Sequence, residues 1–109
     1  MYVYGGMDNR NDNGEAAAAF YDKRRKWMDF ICEMDRVSHA TFRVGYWLAR
    51  KMNGKDQCCW WSVGQIAKQV GVSTKTVTEA TAELEALGLM LVVRQKGKGN
   101  TYFIRLPFD

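Results

Sequence analysis

The residues of this chain best suited to chemistry lie between Ser62 and Asn100, and what they offer is hydrogen bonds and charge. Ser62 and Gln65 stand at the spacing of a capping box, in which a hydroxyl and an amide each satisfy a free backbone N–H at a helix start. Ser73 precedes a second apolar-periodic segment as its N-cap. Helix starts of this kind also present N–H groups to anions. With Val77 set inward, rotation of about 100° per residue turns Lys75, Thr78, Glu79 and Ala82 outward. A lysine there reaches guanine edges or phosphate, threonines hydrogen-bond or touch thymine methyls, and a glutamate accepts from cytosine.

Further along, Arg94, Lys96 and Lys98 surround Gly97 and Gly99 in a short run that ends at Asn100. Such a loop can lie along a phosphate strand or enter a minor groove. The candidate base-reading set is therefore Ser73, Thr74, Lys75, Thr76, Thr78 and Glu79. The candidate phosphate set is Ser62, Gln65, Arg94, Lys96, Lys98 and Asn100. The alternatives are plain: a solvated hairpin tip for the lysines, solvent exposure for Lys75 and Thr78, and a turn residue for Asn100.

Catalysis has little support. The chain has one histidine, His39, no Gly-rich phosphate loop followed by Lys-Ser or Lys-Thr, and no nucleophile paired with a base. Cys32, Cys58 and Cys59 contain no C-x-x-C pair, so reduced, partly buried thiols are expected and no metal or other cofactor is implied. No apolar run reaches membrane-spanning length and no signal peptide opens the chain. The expectation is a cytoplasmic protein with neither membrane nor small-molecule partner.

Charge points to a polyanion. Sixteen Lys and Arg against twelve Asp and Glu leave +4 over 109 residues, an excess that means little until it is located. Ser38–Val72 carries Arg43, Arg50, Lys51, Lys55 and Lys68 against Asp56, and Leu89–Asp109 carries Arg94, Lys96, Lys98 and Arg105 against Asp109. Ser73–Gly88 runs the other way, with Lys75 against Glu79, Glu83 and Glu85. Adhesion would then come from the flanks and selectivity from the segment between them.

These residues need elements to position them. Residues 1–14 (MYVYGGMDNRNDNG) lack an apolar period and are expected to be a disordered tail. Residues 15–36 have helical composition, with Trp27, Phe30, Ile31 and Met34 at i, i+3, i+4 and i+7. That stripe either covers the core of its own domain or pairs two copies as a homodimer. The basic run Lys23–Lys26 is balanced by Asp22, Asp29, Glu33 and Asp35 and reads as a solvated face. Ser38 caps a helix over about 40–52, Asn53–Asp56 is a turn, and Cys58–Trp61 has strand length.

Ile66, Ala67 and Val70 mark one short helix, Gly71 its left-handed stop, and Val77, Ala80, Leu84 and Leu87 the next. Two helices joined by a three- or four-residue Gly turn form a helix-turn-helix. Gly88 ends the pattern. Leu89–Arg94 and Thr101–Leu106 then read as two strands of a hairpin with a basic tip.

The order helix, strand, helix, turn, helix, strand, loop, strand resembles a winged helix-turn-helix domain over about residues 38–106. The resemblance is closest to the helix-turn-helix domains of plasmid and phage replication proteins and related bacterial regulators. It is carried by Trp61-Ser62, Gly71-Val72-Ser73, Thr76-Val77, the Leu-x-x-Leu-Gly-Leu run from Leu84 to Leu89, and Asn100-Thr101-Tyr102. It implies an α+β fold, mainly α with a small hairpin, and sequence-specific binding of double-stranded DNA. One departure stands out: the family often has arginines where Thr74, Lys75, Thr78 and Glu79 stand here. A protein-interaction adaptor is the competing reading, with Glu79, Glu83 and Glu85 as an acidic docking face.

Overall fold

A computed structural model describes residues 6–97 and 99–107, with side chains from residue 14 onward. The elements are α1 (Gly6–Cys32), α2 (His39–Arg50), β1 (Cys59–Trp61), α3 (Val63–Val70), α4 (Thr74–Ala86), β2 (Met90–Val93) and β3 (Asn100–Ile104). The strands form one antiparallel sheet in the order β1-β3-β2, so β3 pairs with both others. This is an α+β fold with the element order of a winged helix.

The helices begin and end where local chemistry dictates. Ser38 and Ser73 cap α2 and α4 in the same way. Each hydroxyl oxygen accepts the N–H of the residue three later, at 3.1 Å from Thr41 and 3.0 Å from Thr76, and each donates its own proton to that threonine's Oγ1 at 2.9 Å. At the far ends Gly71 (φ 80°) and Gly88 (φ 75°) take the left-handed conformation that releases the chain from α3 and α4. Val72 N–H then returns to the Ala67 carbonyl at 3.1 Å, and Leu89 N–H to the Leu84 carbonyl at 2.9 Å. Each closing residue is apolar and packs against the core, so the stop also aims the next segment inward.

That core joins all the layers. Ile66 from α3, Val77 and Leu84 from α4, Val44 and Leu48 from α2, and Tyr102 from β3 are all essentially inaccessible. Gly45 lets α2 sit close to its neighbours. A Cβ there would stand 3.1 Å from Leu84 Cδ1 and 3.2 Å from both Ile31 Cδ1 and Trp27 Cη2.

Two expectations need correction at the N-terminus. Of the stretch expected as a disordered tail, residues 1–5 lie outside the described residues, whereas residues 6–14 continue α1 as helix. Once Glu15 onward forms helix, each added residue forms a backbone hydrogen bond at a propensity cost of at most about 1 kcal/mol, and no proline interrupts the run. The helix also stops at Cys32 instead of Arg36, with Val37 N–H turning back onto the Met34 carbonyl at 3.1 Å.

The apolar stripe of α1 packs inside the chain. Phe20, Trp27 and Ile31 are buried in the same core as α2 and α4, while Phe30 and Met34 pack at its margin. The Arg24 guanidinium donates to the Met52 carbonyl at 2.9 Å and lies over the Tyr21 ring. A homodimer built on that stripe would have to pull these residues out of their own domain.

Candidate nucleic-acid interface

The outward side of α4 is a narrow strip of small polar residues with one cation. Lys75, Thr78, Glu79 and Ala82 are exposed, as the helical rotation anticipated, and so is Thr74, while Val77, Ala80, Thr81 and Leu84 face the core. Thr76 is half-buried, with its Oγ1 taken by the Ser73 cap, so both residues shape the helix start more than its exposed face. The Thr78 hydroxyl donates to the Thr74 carbonyl at 3.1 Å and keeps its lone pairs for an outside donor. Thr81, whose part was not visible in the sequence, donates inward to the Val77 and Thr78 carbonyls at 3.1 and 3.2 Å.

α3 is oriented by its capping box. Gln65 N–H donates to Ser62 Oγ at 3.1 Å, and Ser62 N–H donates to Gln65 Oε1 at 3.0 Å. Both side chains are therefore occupied, and the amides left for an anion are those of Val63 and Gly64, which have no intrahelical acceptor. Arg43 braces the other end of the helix, donating to the Val70 carbonyl at 2.8 Å, where the dipole favours a cation. Its part in a phosphate contact is reduced accordingly.

The β2–β3 hairpin, the wing, sits beside the start of α3. Trp61 pairs with Asn100 across β1 and β3. Gly99 approaches so closely that a Cβ on it would lie 3.0 Å from the Trp61 carbonyl carbon and 3.2 Å from Ser62 N. At the tip Lys96 is exposed beside Gly97, whose φ of 76° makes the turn, and Lys98 lies outside the described residues. Lys75 and Lys96 form no ion pair among the described residues.

Besides Ser62 and Gln65, two more of the residues expected to contact phosphate are engaged within the protein. Arg94 forms a two-pronged pair with Glu85 near the end of α4, Nη2 to Oε1 at 2.7 Å and Nη1 to Oε2 at 3.2 Å. The guanidinium holds the Glu85 carboxyl below its ordinary pKa, and the backbone N–H of Val92 adds to the effect. Asn100 is a half-buried β3 residue whose amide donates to the Tyr102 hydroxyl at 3.2 Å. The sequence reads it as a turn residue, but pairing with Trp61 of β1 makes it the first residue of β3.

The acidic docking face does not assemble. Glu85 is neutralised by Arg94, and Glu83 is half-buried with its Oε1 out of contact with solvent. Glu79 alone of the three stands in the open. Among the described residues no group of His, Cys, Asp and Glu could hold a metal ion, and no helix is long and apolar enough to cross a membrane.

This arrangement is a helix-turn-helix whose second helix is exposed along one side, flanked by a basic-tipped hairpin and by a second helix start. A family model described as a helix-turn-helix domain matches residues 36–90, from just before the Ser38 cap to the first residue of β2. The chain belongs to the helix-turn-helix domain family, and DNA binding is the function that membership carries. The wing lies beyond the match and rests on the fold alone. No characterised protein matched the sequence.

Proposed function

We propose that the protein reads double-stranded DNA in a sequence-specific manner, as a bacterial, plasmid or phage regulator or replication-type DNA-binding protein, and that it has no catalytic activity. The observation that supports this best is the pairing of an exposed Thr74-Lys75-Thr78-Glu79 strip with Lys96 at the tip of the adjoining hairpin. The strip suits the major groove and has too little charge to hold DNA without help. Lys96, Lys98 and the free amides opening α3 and α4 provide that help on the phosphates. Two copies on two half-sites would supply the interface that a single small module lacks. A protein working on DNA belongs in the cytoplasm or nucleoid.

Fluorescence anisotropy of the protein with random and genomic duplexes, repeated across a salt series, tests this. Phosphate contacts from Lys75, Lys96 and Lys98 predict a log–log slope of about −3 per protomer. Changing Lys96 and Lys98 to Glu should remove most of the affinity for every duplex, whereas Thr78→Ala should alter the preferred sequence. Absence of binding at low salt would refute the reading.

A further inference from the structure

We propose that Glu85 positions the wing: by holding Arg94 it fixes the angle between hairpin and recognition helix, and it withdraws one cation from the phosphate-binding set. The inference rests on the DNA-binding reading above. The geometry is specific. Arg94 directly follows the last β2 residue, Val93, so it is the point where the loop of the hairpin leaves the sheet. Glu85 lies in the last turn of α4, the helix whose opposite end carries Lys75. The guanidinium meets the carboxylate through two contacts of 2.7 and 3.2 Å, one to each oxygen, and a two-point contact restricts rotation as well as distance.

Beside this fork Leu84 of α4 lies in the same buried cluster as Met90 and Val92 of β2, so the pair sits at the edge of a packed joint between helix and strand. Sequence-specific binding needs helix and wing to reach their separate grooves together, and this fork is the described side-chain ion pair that joins the two. Arg94 held in this way adds rigidity to the wing without adding charge for the DNA.

Two variants separate tether from charge. Glu85→Gln releases the Arg94 cation, whereas Arg94→Gln breaks the same tether and supplies no cation. Affinity for the preferred duplex and for a random duplex would be measured across a salt series, with circular dichroism confirming the fold. Both variants should lower the preferred-to-random affinity ratio about threefold or more, and only Glu85→Gln should steepen the salt slope, by about one counterion. An unchanged ratio in either folded variant would overturn the positioning role, as would a steeper slope in both. If the unmodified protein binds no duplex, it is the DNA reading that fails. If it binds and the variants match it, this inference alone fails. Should Glu85→Gln not fold, Glu85→Asp, whose shorter side chain loosens the fork, must lower the ratio, and an unchanged ratio there would overturn the positioning role.

Discussion

Trp27 is fully buried, and its Nε1–H donates to the Leu89 carbonyl at 2.7 Å, an oxygen that also accepts Arg105 N–H at 2.9 Å. One indole thus ties α1 to the residue where α4 hands over to β2. Trp27→Phe removes that donor and leaves a void in a closed core, so a loss of about 2–3 kcal/mol in urea unfolding is expected. A loss below about 0.5 kcal/mol would show that the bond contributes little. The stripe containing Trp27 was legible in the sequence at helical spacing. Its acceptor, sixty-two residues away, was not, because a periodic pattern names a buried face without naming what lies opposite.

At the scale of elements, the wing and α3 are coupled through contact between backbones. Gly99 touches the Trp61–Ser62 peptide so closely that an added methyl has to displace it. Gly99→Ala should therefore shift the hairpin relative to the start of α3 and cost about 1–2 kcal/mol of stability. Comparison of amide spectra checks this: shifts should spread through Trp61–Gly64, and spectra unchanged there would refute the coupling. In sequence Gly99 looked like any loop glycine, since close approach across strands leaves no local mark. β2 shows a related limit. Its run Met90–Val93 is apolar throughout, so alternation gave no inward face. Pairing with β3 set it, burying Met90 and Val92 and leaving Leu91 and Val93 exposed.

For the whole molecule, the pH dependence of stability on the alkaline side follows from burial. Cys59 is enclosed with its Sγ near the Leu48 carbonyl, and desolvation, with a smaller contribution from Cys58, pushes its pKa from 9.0 up to about 12. Burial also raises Cys58, helped by Asp56. A thiol whose folded pKa exceeds its unfolded value stabilises the fold fully below the unfolded value and loses that contribution as pH rises toward the folded one. Stability should thus decline between about pH 9 and pH 12, and Cys59→Ala should flatten the decline, as read from thermal unfolding across pH. A variant declining as steeply as the parent would place the cause elsewhere.

The sequence by itself determined the parts governed by neighbours along the chain: the Ser38, Ser62 and Ser73 caps, the left-handed stops at Gly71 and Gly88, the inward face of α4 and the overall element order. These follow from hydrogen bonds and rotations within a few residues, which the chain carries locally. Tertiary structure alone decided which charges remain available. Lys75 and Arg94 look equally suited to phosphate in the sequence, yet one stands in solvent and the other meets Glu85, nine residues back on a different element. It also decided that the stripe of α1 serves its own core. Packing distance sets both outcomes, and sequence separation does not encode it.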